Sequence, residues 1–226
     1  MRLDKFLVEC GIGSRKEVKD IIYNKKIKVN NQITVSPKEN IDPFNDKICL
    51  EDKMLEYKEF RYYLMNKKAG YITAVEDSRE KTVMDLLPDW VVKKNLVPVG
   101  RLDKDTEGLL LFTNDGKLNH KLLSPRNHIE KCYYVEIEKS INIEDIRKLE
   151  NGICIDNYKT MPSKVYKLEE RKILLTIMEG KFHQVKKMLE AVNNKVLYLK
   201  RISFGKLKLD NLELGEVKEI FIEDII

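Results

Sequence analysis

One six-residue run, Gly108-Leu109-Leu110-Leu111-Phe112-Thr113, carries no charge and reads as a buried strand. The segment ahead of it is its opposite: Gly100-Arg101-Leu102-Asp103-Lys104-Asp105-Thr106-Glu107 is a charged loop that enters the strand. Tyr62–Met65 and Leu96–Val99 read as short buried strands, and Lys131–Glu138 and Ile173–Met178 alternate in strand fashion. Asn114-Asp115-Gly116 could close a hairpin. However, Leu118, Leu122 and Leu123 recur at helical spacing, which makes Asp115 the N-cap of a helix ended by Pro125. Val185, Met188, Leu189 and Val192 form a second helical stripe. Strands and helices do not alternate strictly, so the expected class is α+β, a mainly antiparallel mixed sheet with flanking helices.

The length of 226 residues allows a medium domain with a small one beside it. With 42% apolar and 35% charged residues, the composition is that of a soluble globular protein. No apolar run approaches the roughly 18–20 residues of a membrane span. The start, Met1-Arg2-Leu3-Asp4-Lys5, lacks the pattern of a secretory signal, so a cytoplasmic, membrane-free location is expected. Cys10, Cys49, Cys132 and Cys154 are far apart, with no C-x-x-C pair, and only three histidines are present. Reduced, mostly buried cysteines and no metal site follow from that spacing. Net charge is only +5, but its distribution is uneven. Residues 1–30 hold eight Lys and Arg against four acids, and residues 171–201 hold eight against two. Two basic segments on a near-balanced chain suggest a polyanion met at two places. Solvated surface lysine would give the same count.

The first of these segments has its own architecture. Leu3, Phe6, Leu7 and Cys10 share one helical stripe, and Gly11-Ile12-Gly13 ends it. Ser14-Arg15-Lys16-Glu17 is a capping box that opens a second helix to about Asn24, with Val18, Ile21 and Ile22 inward. Ile27-Lys28-Val29 and Ile33-Thr34-Val35 then alternate about Asn30-Asn31 as a hairpin. Arg15, Lys16 and Lys19 lie off the apolar stripe and can meet phosphates together. The pieces "MRLDKFL", "GSRKEVKDII" and "KIKVNNQ", within residues 1–48, resemble the S-four domain, an RNA-binding module. That resemblance implies an RNA partner, with Arg2, Lys5, Arg15, Lys16, Lys19 and Lys28 as candidate contacts. Residues 51–60 read as a charged linker, giving a domain at 1–56 and a second at 57–226.

In the charged loop, three readings of Asp103 compete on local grounds. It could cap a turn together with Asp105 and Thr106. It could open a D-x-D phosphohydrolase motif, although Gly100-Arg101 interrupts the strand that motif wants. Or it could be a lone nucleophilic carboxylate beside cations. The wider pattern favours the last. "GRLDKDTEGLLLFTNDG" resembles the central motif of RsuA-type pseudouridine synthases, whose catalytic aspartate is the one in G-R-L-D. "YYLMNKKAGYI", "SPRNHIEKCYYVEI" and "EGKFHQVKKMLEAVNNKVLYLKR" resemble three further segments of that family in the same order. Lys68 stands where the family usually has proline.

The resemblance implies that Asp103 is the nucleophile, that Lys186 pairs with it, and that Tyr133 stacks on uracil. Arg101 would organise the loop and contact phosphate, and Lys181, His183 and Lys187 would meet RNA. Taken alone, Lys186 would be an exposed lysine paired with Glu190, and Tyr133 a core aromatic; Tyr134 is expected in the core on the opposite face. The implied reaction needs no cofactor and no metal. Its implied substrate is ribosomal RNA, with the S-P-R, E-K-x-Y and H-Q-V-K-x-M details more similar to the small-subunit (16S) enzyme than to 23S relatives. The alternative from another class is a non-catalytic RNA-binding or ribosome-assembly factor, against which the intact Asp103, Tyr133 and Lys186 set speaks. The protein is expected to act as a monomer.

Overall fold

The computed structural model describes residues 1–226. The chain divides into two compact units, Met1–Phe60 with Asp89–Leu96, and Arg61–Pro88 with Val97–Ile226.

In the first unit, α1 (Leu3–Glu9) and α2 (Arg15–Tyr23) lead into four strands, β1 (Ile27–Val29), β2 (Gln32–Ile33), β3 (Ile48–Leu50) and β4 (Lys53–Met54). Both halves of the capping box form: the Ser14 hydroxyl accepts from the Glu17 amide, and the Ser14 amide donates to Glu17 Oε2 at 2.7 Å. Leu3, Phe6, Leu7, Val18, Ile22, Ile27 and Ile48 make the core. The β1–β2 hairpin turns on Asn30 and Asn31 with φ of 49° and 68°, a left-handed pair that asparagine tolerates. The second strand stops at Ile33 rather than reaching Val35, and Ile33 and Val35 stay exposed. Residues 51–60 are not simply a linker. Glu51 takes a left-handed turn and Lys53–Met54 adds to β3 as the fourth strand, so the polar sequence belongs to a sheet edge. The segment 89–96 packs in this unit, with Lys94 Nζ 2.5 Å from Glu9 Oε1.

The second unit contains β5 (Tyr62–Lys67), β6 (Val97–Val99), β7 (Glu107–Thr113), α3 (Gly116–Leu123), β8 (Lys131–Ile137), α4 (Ile143–Glu150), β9 (Cys154–Ile155), β10 (Tyr158–Lys159), β11 (Lys164–Glu169), β12 (Lys172–Ile177), α5 (Gln184–Glu190), β13 (Val196–Phe204), β14 (Leu207–Lys208), β15 (Val217–Ile220) and α6 (Ile222–Ile225). Nine strands form one sheet in the order β11-β12-β8-β13-β7-β5-β15, with β14 on β13 and β6 on β7. All pairings are antiparallel except β13 with β7, so the class is α+β.

The uncharged run is strand β7, near the middle of the sheet and buried from Gly108 to Thr113. Leu109 and Leu111 join a core with Tyr62, Leu64, Val99, Leu118, Leu122 and Phe204. Gly108 has φ of 103°, and a Cβ there would lie 2.2 Å from the Arg201 carbonyl oxygen. Close parallel approach of β13 therefore demands glycine at this position. Asp115 caps α3 by accepting from the amides of Lys117 and Leu118.

The four cysteines are free, but none is fully buried and Cys154 is exposed, contrary to expectation. Tyr134 also departs from expectation. It lies half-buried on the face opposite Tyr133, its hydroxyl donating to Glu136 at 2.8 Å and its ring edge-on to Tyr198. Strand alternation sets its direction, but no layer covers that face deeply enough to bury it. No helix is long and apolar enough to cross a membrane.

Candidate active site

The charged loop ahead of β7 is held from beneath. Lys67, at the end of β5, is fully buried, and its ammonium donates to the carbonyl oxygens of Thr106 (2.8 Å), Lys68 (3.1 Å), Asp103 (3.1 Å) and Lys104 (3.3 Å). Thr73 clamps the loop from the side: its hydroxyl donates to the Leu102 carbonyl at 2.7 Å and accepts from the Leu102 amide at 3.0 Å. The Gly70 amide donates to the Lys104 carbonyl at 2.7 Å. Burial pulls the Lys67 pKa down from 10.5 to about 8, against the pull of the Asp105, Glu107 and Asp103 carboxylates. The position of its side chain shows why a lysine is buried at the end of this strand. Lys68 contributes its carbonyl to this cradle, while its side chain is exposed.

So held, Asp103 turns its carboxylate to α5. Lys186 Nζ lies 3.1 Å from Asp103 Oδ2 and 2.6 Å from Asp105 Oδ1. The i,i+4 partner Glu190 is thus replaced by two carboxylates distant in sequence. Burial lowers the Lys186 pKa, but its hydrogen bonds to Asp105 and Asp103 outweigh that and raise it. Burial would likewise raise Asp105, yet the bond to Lys186 holds it below the ordinary carboxylate value. His183 Nε2 stands 3.6 Å from Asp103 Oδ1.

Asp103, Lys186, His183, Tyr133 and Arg101 all line one cleft of about 810 Å³. Tyr133 comes from β8 and is buried; Arg101 is exposed. Lys181 lines the same cleft, with Nζ 4.3 Å from the Tyr158 ring centroid. Lys187, on α5, is tied to Asp156. In the first unit, Lys5, Arg15, Lys16 and Lys19 are exposed on their helices. Arg2 pairs with Asp4 and Lys28 with Asp52, so those two cations are partly neutralised.

The floor of the cleft holds two cations that sequence reading missed. Arg201 is 2% exposed; its Nε donates to the Leu109 carbonyl at 2.8 Å, but its Nη2 has no partner. Burial and, after it, the Arg201 charge lower the nearby Lys131 pKa from 10.5 to about 8, against the pull of Glu179. Strand alternation puts Lys131 on the same face as Tyr133, and the β13–β8 register, which the sequence does not reveal, puts Arg201 opposite Tyr133. No group of three or more His, Cys, Asp or Glu side chains is placed to hold a metal ion.

Residues 61–191 match the family described as RNA pseudouridylate synthase. The chain belongs to that family. Residues 1–48 match the S4 domain. Relatives align along essentially the whole chain. An uncharacterized RNA pseudouridine synthase, YtzG, of Bacillus subtilis (strain 168) is 46% identical, covering 100% of this chain and 97% of its own length. Ribosomal large subunit pseudouridine synthase B of the same organism is 35% identical over 97% and 91%. Ribosomal small subunit pseudouridine synthase A of Yersinia pestis is 35% identical over 100% and 97%. A crystal structure of a pseudouridylate synthase superposes with a TM-score of 0.70 at 33% identity, covering 100% of this chain and 98% of the other. The protein is thus an isomerase of uridine in RNA, with an S4 domain ahead of a pseudouridine synthase fold.

Proposed function

We propose that the protein converts one uridine of ribosomal RNA, in the small-subunit (16S) molecule, to pseudouridine, with Asp103 as its nucleophile. One observation carries the assignment of Asp103: its carboxylate lies 3.1 Å from the Lys186 ammonium in a cleft that also admits Tyr133. The reaction breaks the bond between uracil N1 and the ribose, turns the base, and rejoins it through carbon 5. A carboxylate serves as the nucleophile, and a charge-assisted hydrogen bond from the adjacent ammonium orients it. Asp103 attacks the ribose or the base; Lys186, 3.1 Å away, holds its carboxylate in place. Tyr133 supplies a flat surface for the loose uracil. Arg101, exposed at the cleft, contacts the backbone while the uridine leaves its stack, because chemistry on a base requires access to it.

The RNA partner follows from the S4 domain and from ribosomal relatives of both subunits, and the 16S choice rests on the motif details of the chain itself. In this reading residues 1–56 bind RNA and residues 57–226 carry the chemistry. The large-subunit (23S) reading stands as the alternative, because large- and small-subunit relatives are each 35% identical to the chain. The test of the reaction is tritium release from RNA labelled at carbon 5 of uridine. Asp103→Asn is expected to abolish release with nearly unchanged RNA affinity, and undiminished release would falsify the assignment. The test of the target is carbodiimide mapping of pseudouridine in both rRNAs from cells with and without the gene. A difference confined to 23S rRNA overturns the 16S reading.

A further inference from the structure

A single exposed apolar side chain is ordinary on a protein surface, whereas a ring held rigidly beside cations at a catalytic cleft is a candidate ligand contact. Phe182 is 74% exposed and lines the cleft that holds Asp103. Its ring stacks on the His183 imidazole with centroids 3.8 Å apart and planes 20° apart, and Lys187 Nζ lies 5.0 Å from its centroid. A second aromatic and cation, Tyr158 and Lys181, stand at the same cleft.

The segment that displays Phe182 is not loose. His183 takes a left-handed conformation, φ 53°, as the residue that opens α5. Buried Gln184 accepts from the Lys181 amide at 2.9 Å and donates to Glu179 Oε1 at 2.9 Å. The other oxygen of Glu179 accepts from the Tyr158 hydroxyl at 2.6 Å. One carboxylate thus ties together the two segments that carry the exposed rings. Preorganised rings beside cations suit one ligand class, an unstacked nucleobase with its phosphates, because every base offers a π-face and the cations meet the backbone.

We propose that Phe182, backed by His183, is a stacking platform for an unpaired RNA base next to the target uridine, with Lys181 and Lys187 on the adjoining phosphates. This rests on the chain acting on RNA but not on which residue is the nucleophile, and binding can be measured without turnover. The ring contributes contact area and no charge, so its loss and the loss of a lysine have different signatures.

The probe is a ten-nucleotide single-stranded oligouridylate with one central 2-aminopurine, bound to the full-length Asp103→Asn protein across a salt series. Phe182→Ala in that background is expected to weaken binding roughly 5- to 100-fold, with the salt slope unchanged and the quenching of 2-aminopurine lost. Phe182→Trp should restore both affinity and quenching. Lys181→Ala should instead lower the salt slope by about one. Equal affinity and quenching in the Ala and Phe forms overturns the proposal. So does a loss in Phe182→Ala that Phe182→Trp fails to restore. Neither result bears on tritium release, so the catalytic assignment stands or falls separately.

Discussion

The ammonium of Lys67 sits 3.1 Å from the backbone carbonyl of Asp103, the residue whose side chain faces Lys186. A buried cation thus fixes the main chain of the loop while an exposed-side cation fixes its carboxylate. Lys67→Met would leave the carbonyls of Asp103, Lys104 and Thr106 without this donor, at about 1–3 kcal/mol for each that finds no other. The expected result is a loss of kcat on the order of 10²-fold, since a displacement of about 1 Å at a reacting group costs that much. RNA affinity should hold and the melting temperature should fall. A kcat within threefold of the parent, by tritium release, removes Lys67 from this role.

Lys186 bridges two carboxylates, and they need not matter equally. Asp105 makes the shorter contact, 2.6 Å, but is the more exposed of the two. Asp105→Asn releases Lys186 to Asp103 alone, so single-turnover rates should change less than about tenfold. Lys186→Met leaves both carboxylates without their cation, and the rate should fall at least about 10²-fold. If the two variants lose activity equally, Asp105 belongs to the machinery as fully as Lys186 does.

Gly108 offers a test on stability. Because a Cβ there would lie 2.2 Å from the Arg201 carbonyl oxygen, Gly108→Ala must push β13 from β7 or distort the strand. A positive φ of 103° adds strain for any L side chain. The expected cost is about 3 kcal/mol or more, at or beyond the upper range of ordinary overpacking. Urea unfolding of the two proteins measures it. A cost below about 1 kcal/mol would mean the parallel pair tolerates spreading.

Much of this was readable from the chain because the signals are local. The Ser14 capping box, the Asn30-Asn31 turn, the Asp115 cap and the uncharged strand each depend on residues within a few positions. The pairing of Asp103 with Lys186 was legible only through resemblance, since 83 positions separate them and periodicity offered Glu190 instead. Lys67, Lys131 and Arg201 were not legible as site residues. A lysine at the end of a strand is normally solvated, and nothing local says that its neighbour in space will be a loop of carbonyls. The segment 51–60 misled because charge usually marks a linker, whereas a sheet edge tolerates it equally.

For the first unit, the test is electrostatic. Arg15, Lys16 and Lys19 are exposed on α2, opposite buried Val18 and Ile22. Changing all three to Ala should weaken RNA binding and reduce the slope of log affinity against log salt by roughly one per lost phosphate contact. Helix content should persist, because the apolar face and the Ser14 cap are untouched. A slope equal to that of the parent means this face does not meet RNA.

The depressed pKa of Lys67 separates activity from stability along pH. Its folded value of about 8 lies below the ordinary 10.5. Between those values the unfolded chain binds more protons than the folded one, so this group's contribution to stability rises with pH across that window. Below about 8 both states are protonated and its burial penalty is felt in full. Activity should run the other way. Above pH 8 the neutral amine keeps two donors in place of three, its hold on the Asp103 loop weakens, and kcat falls. Lys186 keeps its proton throughout, because Asp105 and Asp103 raise its pKa despite burial. Lys131 also titrates near 8, so the profile is to be measured in Lys131→Met as well. An alkaline fall in kcat that persists there, while urea stability is level or rising, is the expected pattern. If the fall vanishes in Lys131→Met, the titrating group is the cation on the cleft floor and not the one beneath the loop.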